Sequence, residues 1–301
     1  MSADLPSHLA ETRRRAEAGA RLVLRGIVLN AGLALAKFAG GVGGHTDVRI
    51  ADGTESLLDV FSALLVWMGF RVAAQPPDAD HPYGHGKAEP LAALAVAVTV
   101  FSAAAWIGIH SVHEIVTPHQ GPQWQTLPLL VAVVGIKLWF SRRLRRAAGA
   151  AGSTALNIEA WHHYSDALTS GAAFAGISIA VIGGRGWETA DDWAALVACA
   201  VIAFNGVNMC RVALGDIMDT AAPAVFDREV RAIAGTIPGV LALDKCRVRK
   251  SGLSHLVDIQ VRVDGGLTVR EGHDIAHAVK DALLASPHAI SDVTVHVEPM
   301  K

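Results

Sequence analysis

Long apolar runs broken by short polar stretches fill residues 22–211, and beyond them the pattern changes to the short periods of a water-soluble fold. Runs at 22–43, 50–73, 90–112, 126–140, 157–182 and 193–211 predict six transmembrane helices. Most of them approach the ~20 residues that a helix needs to cross a bilayer. The fourth is short; its Trp139 and Arg142 suit an interfacial anchor, and Lys137 is placed to snorkel toward the headgroups. After a linker at 215–223, residues 225–237 read as a helix, and 241–249 and 256–263 as strands. In the second strand Val257, Ile259, Val261 and Val263 alternate inward. Thr268 and Glu271 form a capping box for a helix whose Gly272, Ile275, Ala276, Val279 and Leu283 share one face, and Val293, Val295 and Val297 mark a last strand. The expected fold is an α-helical membrane protein with a small cytosolic α+β domain of order αββαβ, ferredoxin-like in outline. The domains are a segment at 1–21, a six-helix part at 22–214, the linker, and the terminal domain at 224–301.

Composition supports the membrane reading: 51% of residues are apolar, only 18% are charged, and the mean hydropathy is +0.35. A formal charge of -2 gives no basis for nucleic-acid binding. Cys199, Cys210 and Cys246 are scattered, so neither a disulfide framework nor a thiolate zinc site is expected. The N-terminal stretch carries Arg13, Arg14 and Arg15 and lacks a short apolar core with a small-residue cleavage site, so it reads as a cytosolic leader and not as a signal peptide. Arg71, Lys87, Arg142, Arg143, Arg145 and Arg146 crowd the loops on the same side as this leader, whereas the opposite loops offer Arg49 and Arg185. By the positive-inside rule both termini are cytosolic, in a multi-pass protein of the bacterial inner (plasma) membrane.

Ionisable side chains inside apolar spans need a partner or a purpose. His162 and Asp166 lie four apart in the fifth run, so a helix puts them on one face. They are either a hydrogen-bonded pair tying helices together or two ligands of a borderline divalent ion. The second run supplies Glu55 and Asp59, again four apart, and two carboxylates on one face repel unless a cation sits between them. Together the three carboxylates and one imidazole make a four-ligand set suited to a tetrahedral dication. Asp52 lies nearer the surface and is left out. His163 turns about 100° from His162 on a helix, toward a hydrogen bond or a dimer partner. In the loop after the second span, His81 and His85 stand beside Asp78 and Asp80 among prolines and glycines, a second metal position at the cytosolic mouth. His255, His277 and His288 read as solvated surface residues.

The combination Glu55-Ser-Leu-Leu-Asp59, His81-Pro-Tyr-Gly-His85-Gly-Lys-Ala-Glu89 and His162-x-x-Ser165-Asp166 resembles the cation diffusion facilitator family. The resemblance implies a homodimeric exporter that moves zinc or a similar dication out of the cytosol against inward-moving protons. It places the transport ligands at Glu55, Asp59, His162 and Asp166, and a loop site at Asp78, His81 and His85. It also implies a Lys87–Asp219 pair at the base of the spans, and a regulatory site at Asp244, His273, His296 and Glu298 in the cytosolic domain. In the cytosolic domain Asp244 stands where a histidine is frequent; in the spans Glu55 departs from the Asp or His expected of the family, which leaves open which ion is carried: Zn2+ first, with Fe2+, Mn2+, Co2+ or Cd2+ compatible with the same ligands.

Metal binding requires deprotonated ligands, so metal and protons compete for one site and alternating access turns that competition into exchange. His162 is the natural proton acceptor. A membrane-bound zinc enzyme would use the same ligands around an activated water, yet the spans offer no separate general base or oxyanion donor. A sensor with a mere membrane anchor would leave the intramembrane carboxylates without a reason.

Overall fold

The computed structural model describes residues 7–40, 48–117, 127–184, 186, 187 and 189–300; the helical side chains at 7–9, 11, 33–40, 48–59 and 129 lie outside that description. Six long helices come first: α1 (Ser7–Gly40), α2 (Val48–Ala73), α3 (Ala88–Val116), α4 (Leu127–Ala151), α5 (Thr154–Gly183) and α6 (Ala190–Ile217). They are followed by α7 (Ala224–Gly235), β1 (Ala242–Ser251), β2 (Ser254–Asp264), α8 (Val269–Leu284) and β3 (Ile290–Met300). The chain separates into two compact units, Gly19–Gly69 with Pro90–Leu214, and Met1–Ala18 with Phe70–Glu89 and Gly215–Lys301.

In the first unit, α3, α5 and α6 are long and apolar enough to cross a membrane among the described residues. Small and β-branched residues fill the interhelical space, with Ala93, Val96, Ala97 and Val100 of α3 buried, while Trp106, Ile109 and Phe204 are strongly exposed on the outer faces. An apolar exterior of this kind is what lipid covers. Two helices run farthest past the boundaries expected of them. Helix α1 starts at Ser7 and absorbs most of the polar leader, and α4 continues through Arg142, Arg143, Arg145 and Arg146 to Ala151. Arginine and alanine are strong helix formers, so loss of hydrophobicity ends the span without ending the helix.

The α4–α5 hairpin positions the central site. Gly152, with φ +64, makes the reversal that a side chain would strain, and the Ser153 hydroxyl accepts from the Leu156 amide to cap α5. Across the hairpin the Ser141 hydroxyl donates to the Ala160 carbonyl at 2.7 Å, and the Arg145 guanidinium lies 4.9 Å from the Trp161 ring. These contacts fix the antiparallel register.

In the second unit, β2 is central, antiparallel to β1 and parallel to β3. Its inward face buries Val257, Ile259, Val261 and Val263 against α7 and α8, whose Val230, Ala234, Val279 and Leu283 close the core. The Thr268–Glu271 capping box forms with both reciprocal hydrogen bonds. The segment 74–87 belongs to this unit as well. A side chain at Gly86 would press on the Ser251 carbonyl at 2.7 Å, so glycine permits the close approach of loop and β1–β2 turn.

Candidate functional site

Asp166 lies 12 residues into α5, about 18 Å along the axis at 1.5 Å per residue. Its Oδ1 stands 3.8 Å from His162 Nδ1, one helical turn before it. Two ligand atoms at that separation can close on one small cation. His162 is 6% exposed, and both side chains are held within the helical unit. Glu55 and Asp59 fall on the backbone of α2, but their side chains are outside the described residues.

The third side chain at this point is Lys137. Its ammonium donates to Asp166 Oδ2 at 2.7 Å, and its side chain is 7% exposed. It does not snorkel. The hairpin register turns it inward, where a carboxylate offsets the cost of burying its charge. His163 is fully buried and neither solvated nor aimed at a partner subunit: its Nε2 is 3.6 Å from Glu159 Oε1, and its ring meets the Phe140 ring edge-on at 4.9 Å.

The loop residues form a compact cluster. His81 Nδ1 and His85 Nε2 lie 3.3 and 3.4 Å from the two oxygens of Asp78, and the three side chains are the one group among the described residues whose ligand atoms lie within mutual reach of a metal ion. Gly84, with φ +79, lets the chain turn so that His85 comes back beside His81, ring centroids 4.3 Å apart. The Asp78 carboxylate also accepts from the amides of Asp80 and His81. The hydrogen bond from the His81 backbone holds its carboxyl below the ordinary carboxylate range.

At the end of α6, the Lys87 ammonium is bound by Asp219 and by the Asp216 carbonyl at 2.6 Å. Asp219, in the left-handed region at φ 58, also accepts from Arg249 at 2.9 Å, and Lys250 pairs with Asp216 at 2.9 Å. Burial pulls the Asp219 carboxyl upward, and the hydrogen bonds from Lys87 and Arg249 outweigh it, leaving the carboxyl below its ordinary value. Sequence reasoning missed Arg249 and Lys250, whose basic side chains on β1 gave no sign of distant partners.

The four residues expected to form a site in the cytosolic domain are not gathered within the chain. Asp244 lies at an irregularity of β1 and is taken by Arg262 at 2.9 Å, while His273 meets His277 edge-on with ring centroids 4.4 Å apart. His296 Nε2 and Glu298 Oε1 are neighbours at 3.7 Å, as strand alternation requires. His255 is another departure, because it is partly buried against Phe226, ring centroids 4.3 Å apart, and His288 meets the same ring edge-on at 5.2 Å.

A helical membrane protein with a His–Asp pair withdrawn from solvent in one span, joined to a small α+β domain, is the class that these features define. Residues 23–218 match the cation efflux transmembrane domain, and residues 222–300 match the cytoplasmic domain of cation efflux proteins. The chain belongs to the cation diffusion facilitator family of cation efflux proteins. It is similar to the manganese efflux system protein MneP of Bacillus subtilis, 27% identical over 290 residues that cover 95% of this chain and 97% of that protein. The magnetosome protein MamM of Paramagnetospirillum magneticum is 29% identical over 275 residues, covering 91% and 86% of the two chains. The cation-efflux pump FieF of Pectobacterium carotovorum is 30% identical over 263 residues, 83% of each chain. These relatives are named for efflux and magnetosome roles and not for catalysis.

Proposed function

We propose that the chain exports a divalent transition metal from the cytosol in exchange for protons, with zinc the foremost candidate. The observation that carries the reading is the His162–Asp166 pair, two metal-ligand atoms 3.8 Å apart and withdrawn from solvent within an apolar helix. Glu55 and Asp59 supply the remaining ligands from α2. Neutral imidazole and ionised carboxylates bind the dication, and the same lone pairs take up protons once it has left. Metal and proton therefore travel in opposite directions through one set of groups.

In this reading both termini face the cytosol of a bacterial inner membrane, and two copies associate through their terminal domains. Asp78, His81 and His85 form a loading position at the cytosolic mouth. Lys87 and Asp219 join the loop to the end of α6, while His296 and Glu298 offer the nucleus of a regulatory site that His273 and Asp244 complete only after rearrangement. Manganese is the second reading for the cargo. It is favoured by three hard carboxylates among four ligands and by similarity to a protein named for manganese efflux.

The test is metal uptake into inside-out membrane vesicles containing the purified chain. An imposed outward-directed proton gradient is expected to drive zinc uptake, and a protonophore to abolish it. Uptake at the same rate with and without the gradient would sink the exchange mechanism.

A further inference from the structure

Asp166 presents its two oxygens to different partners. Oδ1 faces His162 Nδ1 at 3.8 Å, whereas Oδ2 accepts from the Lys137 ammonium at 2.7 Å. Lys137 and Asp166 come from adjacent helices whose register is fixed by the Gly152–Ser153 reversal and by the Ser141–Ala160 hydrogen bond, so the pair is built into the hairpin. Both side chains are nearly enclosed, with 7% and 13% of their surfaces exposed, so little water screens the ammonium from the ligand set.

We infer that Lys137 is a specificity-determining residue of metal transport: it occupies Asp166 Oδ2, restricts this carboxylate to one ligand oxygen, and sets a fixed positive charge beside the bound dication. The inference rests on the transport-site reading and deepens it. Three carboxylates would carry three negative charges when ionised, and Lys137 reduces that to the two a dication neutralises. The ammonium keeps a buried carboxylate paired when no metal is bound. It also weakens binding of every dication, and it penalises most the ions that favour two-oxygen carboxylate ligation. Lys137 thus acts through Asp166, as a positioning residue.

The experiment is calorimetric titration of the detergent-solubilised full chain with Zn2+ and with Mn2+, comparing wild type, Lys137→Met, Lys137→Arg and Asp166→Asn. Lys137→Met removes the charge and frees Oδ2, and is expected to tighten zinc binding by about tenfold or more and to improve manganese binding by a larger factor. Lys137→Arg keeps the charge and extends a planar fork over both oxygens, and is expected to weaken zinc binding by about tenfold. A residue that merely held the helices together would not move affinity in opposite directions in the two variants. If Asp166→Asn removes one zinc-binding event and leaves the loop cluster of Asp78, His81 and His85 to bind, while the Met variant binds no tighter, or the Arg variant no weaker, than wild type at the lost site, the Lys137 assignment is overturned and the transport site stands. If Asp166→Asn binds zinc as wild type does, the transport site itself is wrong. Should the Met variant fail to fold, the Arg variant, which preserves the ion pair, decides alone.

Discussion

An imidazole pressed against an aromatic ring loses hydration that its charged form needs, and His255 is in that position beneath Phe226. Burial holds its pKa below the ordinary 6.5; Lys250 and His288 add repulsion, while a hydrogen bond with the His288 backbone and the charge of Asp216 pull the other way. A depressed folded-state pKa means that the neutral form is favoured in the fold. The stabilisation is therefore complete above the unfolded value near 6.5 and is lost as pH falls through the folded value. Hydrogen-exchange protection of β2 and β3 amides in the full chain should fall as the pH drops below the unfolded value of 6.5, and His255→Gln should flatten that slope. Equal slopes in the two proteins would contradict the burial argument. Although alternation along β2 puts this histidine on the face of Val257 and Ile259, the ring that covers it comes from a helix 29 residues earlier, which local spacing does not show. Lys137 was hidden for the same reason. Local spacing shows which residues share a face, whereas a partner in the next helix depends on hairpin register.

Among the elements, α5 was the most legible, because an i,i+4 pair is a property of one helix, and the α8 cap was legible because a capping box spans four consecutive positions. The end of α6 was only half legible. Lys87 reaches both the Asp219 carboxylate and the terminal carbonyls of the helix, groups that no further turn satisfies. Asp219 in turn serves Arg249, so its removal takes a carboxylate from two cations, whereas removal of Lys87 leaves Asp219 paired with Arg249. The Lys87–Asp219 pair is more than a third exposed, so a double-mutant cycle on Lys87→Met and Asp219→Ala should give a coupling on the order of 0.5–1 kcal/mol after solvent screening, with the Asp219 variant the less stable single. Thermal unfolding in detergent reads both quantities. Strict additivity of the two substitutions would show that the loop and the helix end are not tied through this pair.

At the scale of the whole molecule, the division into apolar helices and a three-stranded α+β domain followed from hydrophobic period alone. The unit boundaries did not. The loop at 70–89 belongs with the terminal domain, drawn there by a close backbone approach at Gly86 and by hydrogen bonds from Lys87 to the Ile217 and Lys250 carbonyls, 130 and 163 residues away in the chain. The transport reading joins ligands on α5 to ligands on α2 and requires them to act as one site. The most direct test is proton-driven zinc uptake into vesicles by wild type, Asp59→Ala and His162→Ala, with equal amounts of folded protein in each membrane. Both variants are expected to bind less zinc and to lose gradient-driven uptake, whereas uptake at the wild-type rate by both would contradict the assignment.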